Sequence, residues 1–143
     1  MSGPIHIHWF RQDLRLADNP ALSAAASAGA VLPVYILDDF HSGNHRMGEA
    51  SRWWLYHSLI ALDRALGGKL VVMAGDPAEI LSHLAVATSA EAIHWNRAYE
   101  PWRIRRDASI KTQCADQGLK AQSHNGSLLW EPWEVLKKDG TPY

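Results

Sequence analysis

Histidine and charged side chains lie within and directly after the first apolar run of this sequence, residues 5–10. His6 and His8 are two positions apart in "IHIHWF", so both side chains share one face of a predicted strand. With a further ligand such as His94 they would form the metal centre of a small hydrolase. We interpret them instead as hydrogen-bonded, partly buried side chains without a metal, because both precede the end of the strand. A zinc assay separates the two interpretations.

The loop "RQDLRLADN" follows this run directly, and its charge needs an explanation because unpaired charge is costly to bury. Arg11 and Gln12 stand at the carboxyl end of the predicted strand. We expect Asp13 and Arg15 to form an ion pair that fixes the loop. Asn19, with a proline behind it, is typical of a helix N-cap.

Other motifs exclude some classes of enzyme. The sequence has no GxGxxG, GxxxxGK[ST] or GxSxG motif, which argues against dinucleotide-binding dehydrogenases, P-loop enzymes and serine hydrolases. Cys114 has no histidine nearby and is interpreted as a packed thiol. The basic segment 101–117 forms either a solvated face with internal ion pairs, such as Arg103 with Asp107, or a phosphate-binding patch. The chain has seven tryptophans, more than one small core needs, so some should lie at a ligand or partner surface.

Length and charge set further limits. A chain of 143 residues is the size of one domain. Its 14 Lys and Arg against 15 Asp and Glu give a net charge of -1, so no global field attracts nucleic acid or a membrane. One cysteine excludes an internal disulfide, and no segment has the length and apolar character of a signal peptide or a membrane span. We expect a cytoplasmic protein with no membrane partner.

Strand and helix patterns alternate along the chain. Strand-like runs cover residues 5–10, 31–37, 69–75 and 91–96, and the more polar residues 120–125 are interpreted as a short fifth strand. Helical patterns follow Asn19, begin near Gly48, follow Asp76 and begin at Pro101. This order predicts an α/β fold, a doubly wound five-stranded parallel sheet that is Rossmann-like, with helices on both faces.

Such a sheet binds ligands outside the carboxyl ends of its strands, at the point where strand order reverses. In a five-stranded sheet of this kind we expect that crevice between strands 1 and 4, where the loops "RQDLRL" and "NRAYEPW" meet. The aromatic residues there, Trp9, Tyr99 and Trp102, can supply a flat slot for a ligand. The polar partners expected beside it are Arg11, Asn96 and Glu100.

Five segments carry a resemblance to a known family: "WFRQDLRLADNPAL", "RWWLYHSLIALDRAL", "AGDPAEIL", "HWNRAYEPWRIRRD" and "SLLWEPWEVLKKDGTPY". In order and spacing they resemble the N-terminal α/β half of the DNA photolyase and cryptochrome family. The resemblance implies a photolyase-type α/β domain at residues 4–125. It implies that residues 126–143 begin the connector to a C-terminal helical domain.

In the family, that C-terminal domain binds FAD and damaged DNA and splits pyrimidine dimers by electron transfer. The resemblance therefore implies that the partners of this chain are the C-terminal FAD-binding domain and, only through it, damaged DNA. It also implies that the parent protein is a DNA photolyase and that this chain alone does not repair DNA. A cryptochrome-like blue-light photosensor domain is the alternative within the same fold.

The resemblance further implies an antenna that harvests near-ultraviolet and blue light for FAD. The antenna chromophore is a folate, a deazaflavin or a flavin in the family, or the site is empty. Gln12 and His45 favour methenyltetrahydrofolate, although Trp102 and Arg103 replace the Asn-Glu of one folate type and Ala98 replaces an aspartate of a deazaflavin type. The cofactor-binding residues that we expect are Trp9, Arg11, Gln12, His45, Asn96, Tyr99, Glu100, Trp102 and Arg103. We also expect an apolar surface that includes the tryptophans of the connector.

Overall fold

The computed structural model describes residues 3–142 and consists of alternating strands and helices. The strands are β1 (Ile5–Phe10), β2 (Ala30–Leu37), β3 (Val71–Ala74), β4 (Ala92–Asn96) and β5 (Lys120–His124). The helices are α1 (Pro20–Ala28), α2 (Glu49–Ala65), α3 (Pro77–Thr88) and α4 (Pro101–Asp116), with a short 3-10 turn at Gly43–His45. The predicted order of elements is confirmed, and the boundaries differ from the predicted ones by one or two residues.

The five strands form one sheet in the order β3-β2-β1-β4-β5. Every neighbouring pair is parallel. The predicted doubly wound fold is therefore confirmed. Strand order reverses between β1 and β4, as expected, so the loops after these two strands leave the sheet side by side.

Helices cover both faces of the sheet because the strands carry apolar or weakly polar side chains in both directions. On one face, Trp9 and Trp95 pack with Leu81 of α3 and Ile110 of α4. On the other face, Phe10 packs against leucines at positions 55, 59 and 62 of α2 and at position 66, the residue that caps its C-terminus. This spacing gives α2 the single apolar stripe that the sequence predicts.

Local signals fix where two of the helices begin. The Asn19 side chain accepts a hydrogen bond from Leu22 N at 3.0 Å, and Pro20 is the first helical residue of α1. At α3, the Asp76 side chain accepts from Ala78 N at 2.9 Å, again ahead of a proline. Both predicted caps are confirmed. These caps fix the points at which the chain enters a helix after the carboxyl ends of β1 and β3.

Residues 126–142, which we call the connector, follow β5 without any helix or strand. An isolated antiparallel bridge joins Leu136 to Pro142. Glu131 is buried, at 5% exposure, and therefore ties the middle of the connector to the sheet. Among residues 3–142, no helix has the length and hydropathy needed to cross a membrane.

Candidate chromophore site

A cavity of about 640 Å³ opens at the carboxyl ends of β1 and β2. The first turns of α2 and α4 form its other walls. Its aromatic lining is Trp9, Tyr35, Trp54 and Trp102, and its polar lining includes Gln12, Asp38, His45 and Arg103. The volume lies in the range of small-molecule and cofactor sites, which are about 300–1,000 Å³.

The cavity lies beside the point of strand reversal and not at it, which corrects the expected position between β1 and β4. That point holds a smaller space of about 120 Å³ next to the connector residue Gly126. A Cβ added to Gly126 would lie 2.6 Å from Cγ of Asn96, so the connector backbone packs directly on the end of β4. The connector thus fills the crevice, and the open space is displaced toward β2.

Six of the nine residues expected to bind a cofactor line the 640 Å³ cavity: Trp9, Arg11, Gln12, His45, Trp102 and Arg103. Asn96 does not line the cavity, because its side chain donates to Asp13 and Asn19 at the carboxyl end of β4. Tyr99 points to the connector, where its hydroxyl donates to Glu131 at 2.6 Å. Glu100 lies at the start of α4 and accepts from Arg103 at 2.6 Å.

Guanidinium groups and indole rings alternate along one wall of the cavity. The Arg106 guanidinium carbon lies 4.9 Å from the centroid of Trp9 and 5.1 Å from that of Trp102. Arg11 lies 4.8 Å from Trp9, and Arg103 lies 4.7 Å from Trp102. We call these five residues, from Arg103 through Trp102, Arg106 and Trp9 to Arg11, the arginine–tryptophan stack. Each contact is within the distance at which a cation is attracted to an aromatic face.

Buried carboxylates hold the cations of the stack. Asp107 accepts hydrogen bonds from Arg11 and, at 3.0 Å, from Arg106. Asp38 accepts from Arg106 at 3.2 Å. Burial lowers the pKa of Arg11 from its usual value, and the neighbouring Asp107 carboxylate opposes that shift. The pair of Arg103 with Asp107, which belongs to one of the two alternatives that the sequence leaves open for this segment, does not form, because Asp107 pairs with Arg11 and Arg106 while Arg103 pairs with Glu100.

The loop after β1 is fixed differently from the expectation. Asp13 accepts from the backbone N–H of Arg11 at 2.9 Å and from the Asn96 amide, and it forms no ion pair with Arg15. The Arg15 guanidinium donates instead to the carbonyls of Asp18 at 3.1 Å and Gly126 at 2.8 Å. The reason is the connector, which brings a carbonyl from far along the sequence to the end of the loop.

Sequence reasoning missed the β2 side of the cavity. Tyr35, Asp38 and Ser42 line it from the end of β2 and the loop that follows, and Trp54 lines it from α2. Burial raises the pKa of the Tyr35 phenol. One signal could have identified this wall: two aspartates, "DD", directly follow an apolar strand whose carboxyl end lies beside that of β1.

The predicted histidine pair faces the opposite side of the sheet, under α1. His6 Nδ1 lies 3.0 Å from His94 Nε2, and the His94 ring stacks on His124 with centroids 5.9 Å apart. We call His6, His8, His94 and His124 the histidine row. Burial lowers the pKa of His8 and of His94 to about 4. Among residues 3–142, no group of three or more His, Cys, Asp or Glu side chains is arranged to hold a metal ion.

Two groups of large apolar side chains are exposed on α2 and on the connector. On α2, Trp53 and Trp54 are 61% and 69% exposed. On the connector, Leu129, Trp130 and Trp133 are 95%, 72% and 53% exposed. These side chains leave apolar area on the surface, and those of Trp130 and Trp133 belong to the connector, where the sequence predicts an apolar surface.

Comparison with known proteins identifies the family of the chain. The family model of DNA photolyase matches residues 6–143. A deoxyribodipyrimidine photo-lyase of Agrobacterium fabrum is 44% identical over 141 residues, which cover 96% of this chain and 29% of that protein. Cryptochrome-2 of Arabidopsis thaliana is 41% identical over 142 residues, covering 96% of this chain and 23% of that protein.

A solved structure agrees in both fold and sequence. The crystal structure of a bacterial class III photolyase from Agrobacterium tumefaciens superposes with a TM-score of 0.89 at 42% identity, covering all of this chain and 30% of that one. The chain thus spans less than a third of the length of these relatives. It belongs to the DNA photolyase family and corresponds to the N-terminal α/β domain of that family.

Proposed function

We propose that this chain is the antenna-chromophore domain of a light-driven DNA repair enzyme and that the chromophore occupies the 640 Å³ cavity. The observation that carries the proposal is the lining of the cavity. Aromatic side chains from β1, β2, α2 and α4 surround one space and leave room for a flat ring system. Hydrogen-bonding groups at its edge, Gln12 and His45 among them, can fix the orientation of that ring.

The residues present suit a flat, anionic heteroaromatic ligand. Trp54 and Trp102 offer ring faces, and the guanidinium groups of Arg11 and Arg103, which also line the cavity, add positive charge. When bound, the chromophore would supply absorption of near-ultraviolet or blue light and transfer of excitation. The chain's own residues would bind it, orient it and exclude water. Methenyltetrahydrofolate is the proposed ligand, since both Gln12 and His45 line the cavity; a deazaflavin and a flavin are the alternatives.

Reconstitution tests the antenna site directly. The chain is mixed with methenyltetrahydrofolate, separated by gel filtration, and the near-ultraviolet absorbance that co-elutes with the protein is measured; FMN and a deazaflavin are run in parallel. We expect retention of the folate. Trp102→Ala should reduce retention about tenfold or more, because it removes a ring face from the cavity. The matched control is Trp130→Ala, whose ring is exposed on the connector and should leave retention unchanged.

Two results would reject this site. Loss of all three chromophores on gel filtration would reject the antenna proposal. Equal loss of retention in Trp102→Ala and Trp130→Ala would place the ligand outside the cavity. Retention of the deazaflavin or of FMN in place of the folate would keep the antenna proposal and change its ligand.

The repair activity is proposed for a longer protein that carries this domain. The relative named deoxyribodipyrimidine photo-lyase supports repair of pyrimidine dimers. We propose that FAD binds to the part of the longer protein that this chain does not span. A cryptochrome-like photosensor remains the second candidate, because the Arabidopsis cryptochrome is nearly as similar, at 41% identity against 44%. We propose that residues 126–143 connect the domain to that FAD-binding part.

A domain exchange tests the repair proposal. The corresponding residues of the Agrobacterium photo-lyase are replaced by this chain, and dimer repair is measured as a function of wavelength with the reconstituted chromophore. We expect repair to persist, and its action spectrum to include the absorption band of the antenna. An action spectrum without that band would reject energy transfer from this domain. The 143-residue chain alone, given FAD and a dimer-containing oligonucleotide under blue light, should restore no thymines.

A further inference from the structure

The tryptophans of this domain fall into two classes by their distance from positive charge. Four of them have an Arg or Lys side chain over the ring: Trp9, Trp95, Trp102 and Trp133. Within residues 3–142, no such contact involves Trp53, Trp54 or Trp130. Of the three tryptophans that line the cavity, Trp9 and Trp102 each have two cations nearby, and Trp54 has none.

These indoles also form a path from the cavity into the core. Trp102 is followed by Arg106, then by Trp9, and Trp9 meets Trp95 with centroids 5.6 Å apart. Trp9 and Trp95 are 1% and 0% exposed. Neighbouring indoles at such distances can pass an electron vacancy from one to the next. In this path a guanidinium group lies between the first two rings.

An antenna fails when its excited chromophore takes an electron from a neighbouring indole. The indole becomes a radical cation, the ligand holds the electron until it returns, and the excitation is lost as heat with no net oxidation. A cation over the ring opposes this transfer. It is attracted to the intact π-system, and loss of an electron replaces the attraction with repulsion between two positive charges.

We infer that the arginine–tryptophan stack protects an excited chromophore from electron-transfer quenching by Trp102 and Trp9. The inference rests on the proposed antenna function and assigns a further role to Arg103 and Arg106 as positioning residues that act through the indoles. The ion pairs with Glu100, Asp38 and Asp107 hold the guanidinium groups in place, and the arginines are therefore fixed over the rings.

The test is the fluorescence lifetime of the chromophore that remains bound in the reconstitution above. Arg103→Met keeps the length of the side chain and removes its charge. Its ion-pair partner Glu100 is 44% exposed at the side chain, so the fold should tolerate the change. We expect the lifetime of the bound ligand to shorten by about twofold or more, because Trp102 becomes a better electron donor.

A second substitution separates this role from packing. In the double variant Arg103→Met with Trp102→Phe, the oxidisable indole is gone, and the lifetime should return to that of the original chain. In the original chain, Trp54→Phe should lengthen the lifetime more than Trp102→Phe does, because Trp54 has no cation over its ring. Arg106→Met is a further variant, used only if its circular dichroism matches that of the original chain.

The outcomes distinguish the two proposals. If no chromophore is retained by the original chain, the antenna function and this inference both fail. If the ligand is retained and Arg103→Met leaves its lifetime unchanged, only this inference fails. A lifetime that stays short in the double variant would also overturn it, since the quenching would then come from altered packing and not from Trp102.

Discussion

The two faces of β1 bury polar groups by opposite electrostatic means. On the face toward α4, the arginine–tryptophan stack contains full charges that are paired with Asp38 and Asp107. On the face toward α1, the histidine row contains His8 and His94, and burial lowers the pKa of each of these two rings to about 4. The stack lines the cavity, and none of the four histidines of the row does.

The comparison between the stack and the histidine row shows where charged side chains are buried in this fold. At the carboxyl ends of the strands the ion pairs lie in the wall of the cavity. Arg103 and Arg106 come from the first turns of α4, and Arg11 directly follows β1. Further down the strand, burial outweighs the attraction of the Asp13 carboxylate for the His8 ring, and neutrality is the less costly state of His8 and His94. The two regions should therefore respond to different perturbations, the first to loss of a carboxylate and the second to acid.

The largest effect is expected from removing the carboxylate that two arginines share. Asp107→Asn leaves Arg11 and Arg106 buried without their common partner, and should lower the free energy of unfolding by about 3–5 kcal/mol. Urea denaturation followed by circular dichroism measures the change. The matched control is Asp39→Asn, which removes a 2.6 Å pair with Arg52.

The control pair is partly exposed, at 35% for the Asp39 side chain and 27% for that of Arg52. Its loss should cost about 0–1 kcal/mol, the range of surface pairs. Equal costs for the two variants would show that the stack does not depend on its carboxylate.

The second prediction concerns the histidine row and the stability of the fold at acidic pH. In the unfolded chain His8 has a pKa of about 6.5, and in the fold its pKa is about 4. Below pH 6.5, His8 is therefore protonated in the unfolded chain, whereas it stays neutral in the folded chain until the pH approaches 4. The free energy of unfolding decreases as the pH falls over this range. Between pH 7 and pH 5 the loss from His8 alone is about 2 kcal/mol, and His94 acts in the same direction.

Urea midpoints at pH 7, 6 and 5 measure this slope. His8→Gln cannot be protonated, and its stability should depend less on pH over the same range. A variant with the slope of the original chain would show that His8 does not cause the acid sensitivity. The measurements end at pH 5 because ordinary carboxylates titrate below that pH.

Much of the fold can be predicted from the sequence, because apolar runs, helix caps and leucine spacing are local patterns. Alternating apolar runs specify the strands, and Asn19 and Asp76 mark the starts of α1 and α3 within a few residues. The leucine spacing specifies the buried side of α2. Sheet order follows from the alternation of strands and helices, since parallel neighbours need crossovers of one hand.

The candidate site is harder to predict from the sequence, because its contacts join distant parts of the chain. Arg11 pairs with Asp107, 96 positions away, and no local spacing indicates that choice over a pair with Arg103. The connector reaches back to Asn96 and displaces the cavity toward β2, which no periodicity reveals. Sequence reasoning therefore located the correct edge of the sheet and missed the wall that contains Tyr35 and Trp54.

The smallest effect concerns Asn19, which lies beside His8 of the histidine row and hydrogen-bonds Asn96, whose carbonyl in turn accepts from Arg11 of the stack. Its side chain caps α1 at Leu22 N, donates to the carbonyl of Arg15 at 3.0 Å, accepts from Asn96 at 2.7 Å, and lies 3.5 Å from His8 Nε2. Asn19→Ala should cost about 1–2 kcal/mol, toward the upper end for helix caps, because the buried Asn96 amide also loses a partner.

Asp76→Ala, at the start of α3, is the matched control for this prediction. It removes a cap that serves only its own helix, and about 1 kcal/mol is expected in urea denaturation. A cost for Asn19→Ala that does not exceed the cost for Asp76→Ala would mean that Asn19 acts as a cap alone. A larger cost would show that the buried Asn19 amide stabilises the fold beyond its helix cap, through its hydrogen bond with Asn96.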